Sequence, residues 1–115
     1  MNFDAERALD ADRIFRELGI AGEDWADKKS AYQALDDLTK TVYADIMTDF
    51  IPACPTKAEA EVRALADGKY KAHLASKSAA RRAWLLAEVK YENLKTLSEL
   101  RRSQESTRRA EMGLR

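Results

Sequence analysis

From Lys69 to Met112 the chain runs without a proline or a glycine. Strands are typically about 5–6 residues long, so no sheet absorbs a stretch of this length. A single helix of some 40 residues does, and at 1.5 Å per residue it would be on the order of 60 Å long. A compact domain of 115 residues needs nothing so long, so part of this helix is expected to project or to pair with another chain. The rest of the sequence agrees with a helical reading. Its two prolines both fall at 52–55, and Ala, Leu, Glu, Lys and Arg, all strong helix formers, dominate. A β-rich domain would need more turns, and more Gly and Pro to make them. The expected fold class is therefore all-α: a helical bundle with a long, projecting C-terminal helix, coiled-coil-like.

Upstream, a first helix is expected from about Asp4 to Leu18. Phe3, Ala8, Ala11, Phe15 and Leu18 share one broad side at helical spacing. Gly19 is placed to end it in a left-handed conformation, with Ile20 folding back onto Phe15. A second helix should start near Asp24, where Glu23, Asp24 and Asp27 put negative charge at its positive end. It should end before Pro52. Its apolar stripe includes Trp25, Tyr32, Leu35, Leu38, Val42, Tyr43, Ile46 and Phe50, about half the circumference. Pro52 and Pro55 mark a tight connection. Thr56 and Glu59 form a T-x-x-E capping box, which opens a short helix over about Lys57 to Ala66. At Asp67-Gly68, the glycine can end that helix while the aspartate caps the next.

The middle of the long helix is apolar on most sides: Trp84, Leu85, Leu86, Val89, Tyr91, Leu94, Leu97 and Leu100. Such a helix must be covered from more than one direction. The N-terminal helices supply one cover, and a second copy of the chain is the suggested other, although a compact monomer is possible. The expected core comprises Phe15, Leu18, Trp25, Tyr32, Leu35, Leu38, Val42, Ile46, Phe50, Leu74, Trp84, Leu86, Val89, Tyr91, Leu94 and Leu97. The aromatic stripe of the second helix reads as core against Trp84 and Tyr91. Its alternative reading is a platform for single-stranded bases.

Charge divides the chain. Residues 1–50 carry 12 acidic and 6 basic side chains, and residues 51–115 carry 14 basic and 8 acidic. We read one helical domain over 1–115 in three parts: acidic N-terminal helices at 1–55, a short helix plus the long core helix at 56–100, and a basic tail at 101–115. In the tail, Arg101, Arg102, Arg108 and Arg109 form two pairs seven residues apart, so they line roughly one side of a helix. That spacing suits a phosphate backbone. It also suits an acidic protein surface, or a plain solvated helix end.

Catalysis finds no constellation here. His73 is the single histidine and Cys54 the single cysteine, so no zinc set forms, and the expected metal and cofactor complement is none. Cys54 lacks a base nearby in sequence and reads as a partly buried loop residue. His73 reads as a surface or half-buried packing residue. The glycines are too scattered for a phosphate loop. No catalytic residues are assigned, and neither an enzyme activity nor a small-molecule substrate is expected. The N-terminal sequence is not that of a signal peptide, and no apolar run reaches membrane-spanning length. The expected compartment is the cytoplasm, without membrane attachment.

In the C-terminal half, Thr56-Lys57-Ala58-Glu59, Tyr70-Lys71-Ala72-His73-Leu74, Trp84, Arg102-Ser103 and Arg108-Arg109-Ala110-Glu111 occur in that order. Over about residues 56–112 the chain resembles small bacteriophage-encoded helical proteins that accompany single-strand annealing recombinases. The resemblance implies a phage origin, the cytoplasm of a bacterial host, and an accessory role in DNA recombination or replication. It carries no catalytic residues. The leading expectation is thus a non-enzymatic phage accessory protein that binds single-stranded DNA or a recombination protein. The alternatives are a phage inhibitor docked on a host defence or repair protein, and a structural oligomer or assembly factor. A homo-oligomer, most simply a dimer, fits the surplus of apolar surface, and the arginines call for nucleic acid or an acidic protein as partner.

Overall fold

The computed structural model describes residues 3–113, and the side chains from Asp10 onward. The fold is all-α and coiled-coil-like. Helix α1 spans Phe3–Phe50, a 3-10 turn spans Ile51–Ala53, α2 spans Lys57–Ala66, and α3 spans Gly68–Glu111. The chain divides into two units, one formed by Asp27–Trp84 and the other by Met1–Ala26 with Leu85–Arg115.

The expected break at Gly19 does not occur, and α1 is one helix of 48 residues. Gly113 is the sole glycine with positive φ among the described residues, so neither Gly19 nor Gly22 adopts the left-handed conformation that would stop a helix. Ile20, assigned to a terminal contact with Phe15, is exposed. Glycine in a helix interior costs only about 1 kcal/mol, which packing overrides. Proline does what glycine does not: α1 ends at Phe50, and Pro52 sits in the first residues of the 3-10 turn that follows.

Helix α2 forms over the expected residues. Thr56, in an extended conformation, accepts a hydrogen bond from the Glu59 backbone N–H at 3.2 Å. Glu59 Oε1 accepts from Arg63 Nη2 at 3.2 Å, one turn further on, where a capping box would have it reach back to Thr56. At the next junction the roles of Asp67 and Gly68 differ from expectation. Asp67 itself turns extended, with φ −65° and ψ 138°, and ends α2. Its Oδ1 then accepts from the Lys69 backbone N–H at 2.8 Å and caps α3. Gly68, without positive φ, is the first residue of α3.

Both long helices carry one register. On α1 the half-buried and buried positions include Ile14, Leu18, Ala21, Trp25, Lys28, Tyr32, Leu35, Thr39, Val42 and Ile46, alternating four and three apart. On α3 they include Tyr70, His73, Lys77, Ala80, Trp84, Ala87, Tyr91, Leu94, Ser98 and Arg101, alternating three and four. This is the 3.5-residue period of a coiled-coil seam.

Within the unit of Asp27–Trp84 the pairing is antiparallel. Tyr32 stacks on Trp84 with ring centroids 5.4 Å apart, Thr39 meets His73, and Tyr43 meets Tyr70 edge-on at 5.6 Å. Lys29 lies over the Trp84 ring, 5.8 Å from its centroid. Ala60 and Ala64 of α2, both fully buried, press against Ile46 and Met47 of α1, with Val42, Tyr43, Phe50, Cys54 and Tyr70 around them. In the second unit Trp25 stacks on Tyr91 at 5.1 Å, and the Tyr91 ring lies 3.3 Å from where a Cβ at Gly22 would stand.

The aromatic stripe is thus core, as its spacing indicates. The rest of the expected core is partly wrong. Ile46 is buried, and Leu18, Trp25, Tyr32, Leu35, Val42, Phe50, Trp84, Tyr91 and Leu94 are half-buried, but Phe15, Leu38, Leu74, Leu86, Val89 and Leu97 are exposed. A stripe half the circumference wide suits a helix packed into a multi-helix core. A seam between two helices buries mainly two positions in seven. The residues sequence reasoning missed, Ala21, Ala60, Ala64, Ala87 and Met47, are chiefly small ones where helices approach closely. The expected apolar positions Phe3 and Ala8 lie outside the described side chains.

A candidate basic cleft at the C-terminal end of α3

Past Leu94 the α3 seam changes chemistry. The next inward positions are Ser98 and Arg101, and seven residues on, Arg108. The two-helix register that buries aromatic rings further up now turns guanidinium groups toward α1. Arg101 Nη1 lies 3.6 Å from Asp10 Oδ2, an ion pair that holds it against the first helix. Arg108 is half-buried, whereas Arg102 and Arg109 are exposed. A cleft of about 740 Å³ opens between the 11–15 segment of α1 and the 98–109 segment of α3, and all four arginines line it.

Ala11, Ile14 and Phe15 supply the apolar part of that lining, and Asp12 and Glu105 add two negative charges. Phe15 is 73% exposed. Sequence reasoning places it in the core, yet it is an uncovered aromatic ring at the rim of a basic cleft. With Asp10 on Arg101, four guanidinium groups meet three carboxylates among the described residues, a small surplus of positive charge. Its volume lies within the range of small-molecule pockets, about 300–1,000 Å³. The guanidinium groups beside one aromatic ring also suit an extended anionic ligand. The signal is present in the sequence as Phe15 and the paired arginines. What joins them is the antiparallel pairing, which no local pattern states.

Elsewhere the titratable groups serve packing. His73 is half-buried, with Nε2 3.0 Å from Thr39 Oγ1. The Thr39 hydroxyl also lies 3.2 Å from the Leu35 carbonyl; with its hydrogen on that carbonyl, the Nε2–H tautomer of His73 is the donor to Thr39, and with its hydrogen on His73, Nε2 accepts. Cys54 ends the 3-10 turn and packs beside the Ile46 cluster. Lys77 Nζ lies 2.6 Å from Asp36 Oδ1 across the seam. The hydrogen bond to Asp36 raises the Lys77 pKa above its ordinary value, partial desolvation works against it, and the Asp36 charge adds to the rise.

No group of three or more His, Cys, Asp and Glu is placed to hold a metal ion among the described residues. None of the described helices is long and apolar enough to cross a membrane. Comparison with protein-family models, with curated proteins and with solved structures gives no match to this chain.

Proposed function

We propose that this protein is a non-catalytic binding protein that holds single-stranded nucleic acid in the basic cleft between the start of α1 and the end of α3. The observation that carries the reading is the union of Arg101, Arg102, Arg108 and Arg109 with the exposed Phe15 in that one cleft. Phosphates are met by arginine, and a base stacks on an uncovered aromatic ring regardless of its identity. Flexible single strands can bring both groups to one cleft at once, which a duplex with its bases stacked inside cannot. The resemblance of residues 56–112 to phage proteins that accompany annealing recombinases supplies the setting: an accessory step in phage recombination or replication, in the cytoplasm of a bacterial host and in homo-oligomeric form.

Fluorescence anisotropy of a labelled single-stranded oligonucleotide tests the reading at low and near-physiological salt. Affinity should fall steeply with salt. Replacing Arg102 and Arg109 by Ala should flatten the log–log salt slope by about 0.7 for each phosphate left without its arginine. Phe15→Ala should cost about 1–3 kcal/mol of binding while leaving that slope unchanged. Absence of binding at both salts sinks the proposal.

A protein partner is the second reading, favoured by Val62 and Leu65, which α2 leaves exposed. A recombination protein, or a host defence or repair protein blocked by docking, would cover them. Capture of one such protein together with indifference to oligonucleotide would select it.

A further inference from the structure

Beyond the α1–α3 seam, α3 carries a second apolar line. Leu86, Val89, Leu97 and Leu100 are 58%, 56%, 43% and 54% exposed. With Asn93, also exposed, they form a row at 86, 89, 93, 97 and 100. At 100° per residue, Leu86 and Leu100 lie within about 20° of Asn93, and Val89 and Leu97 within about 40°. The row is narrow, and by the same geometry its centre stands roughly 130° around the helix from the positions that face α1. Nothing else in the described fold covers it.

The spacing reads 3, 4, 4, 3, so it is the same in both directions from Asn93. A two-fold interface requires such self-complementarity, because the same patch must meet itself reversed. We propose that this row is the contact for a second copy of the chain, with the two α3 helices antiparallel and the dyad at Asn93. Leu86 then meets Leu100 of the other copy, Val89 meets Leu97, and Asn93 meets Asn93. The two carboxamides, each donor and acceptor, can hydrogen-bond to each other. One polar residue in an otherwise apolar seam fixes register at some loss of stability.

The row is the apolar centre of the contact: Leu86, Val89 and Leu100 are each more than half exposed. A standard interface takes about 800 Å² from each partner, so side chains flanking the row complete it. This interface goes beyond the nucleic-acid reading and is independent of it, since none of its five residues lines the basic cleft.

Sedimentation of the full chain and site-specific cross-linking test the interface. In a Cys54→Ser background, Asn93→Cys should oxidise to a disulfide-linked dimer, because only a residue on the dyad faces its own copy. Leu86→Cys alone should not, since the two positions lie about 21 Å apart along the helices. A mixture of Leu86→Cys and Leu100→Cys chains should cross-link as the heterodimer. Leu97→Lys should give a monomer that keeps its helical circular dichroism. A wild-type monomer at tens of micromolar overturns the proposal. So does a dimer in which Asn93→Cys fails to cross-link, which would place another face, or another partner, against this row.

Discussion

The two glycines inside α1 look alike in the sequence and differ in their surroundings. A Cβ at Gly19 meets nothing within 4 Å, whereas one at Gly22 would lie 3.3 Å from the Tyr91 ring. Gly19→Ala should therefore gain the helix-propensity difference, about 0.8–1 kcal/mol in urea denaturation. Gly22→Ala should gain much less or lose, because Tyr91 is held by its stack on Trp25 and yields little. Lys77 gives a second test at this scale. Its pKa is raised in the folded chain by the bond to Asp36, so the pair's stabilisation is complete below the ordinary lysine value, about 10.4, and is lost as pH rises through the raised one. The comparison that isolates the pair is with Lys77→Met. The stability difference between the two proteins should be constant from about pH 7 to 9 and shrink above about pH 10.4. A difference that stays constant to higher pH would show that Asp36 does not bind Lys77 in solution.

At the scale of elements, local chemistry is legible wherever a side chain acts on its own backbone. Thr56 announces α2, Pro52 follows the end of α1, and the unbroken run from Lys69 announces α3. Thr56→Ala should cost about 1 kcal/mol, read as a lowered unfolding midpoint. What is not legible depends on the distance between helices. Ala60 and Ala64 carry no mark of importance in a sequence rich in alanine, yet both are fully buried where α2 meets Ile46 and Met47. Ala60→Leu should overpack that contact and destabilise by about 1–3 kcal/mol, while the same change at exposed Ala58 should be nearly neutral. The seam itself is partly legible. Trp25, Tyr32, Trp84 and Tyr91 are expected to meet, but Thr39, His73 and Lys77 take seam positions that hydropathy assigns to the surface. A polar residue is admitted there because each finds a partner: Thr39 with His73, and Lys77 with Asp36.

For the whole molecule, the surface that one copy leaves uncovered decides how it behaves. Among the described residues none of the large side chains is fully buried, so a single chain draws little stability from its own core. The unequal charge of the two halves reads in the sequence as attraction or as a basic arm. At Asp10 and Arg101 it acts within one chain, and the described residues of the cleft keep a small surplus of positive charge. Two linked equilibria should therefore add to the stability of the isolated chain, and they are separable. If α3 pairs with a second copy, the thermal midpoint should rise with protein concentration, and Leu97→Lys should abolish that rise. If the cleft holds single strands, oligonucleotide at 100 times its Kd should add about 2.7 kcal/mol, and replacing the four arginines by Ala should remove that gain while leaving the concentration dependence intact. Loss of both effects in either variant would show that the dimer and the cleft are one site, with the second copy completing the surface that nucleic acid binds.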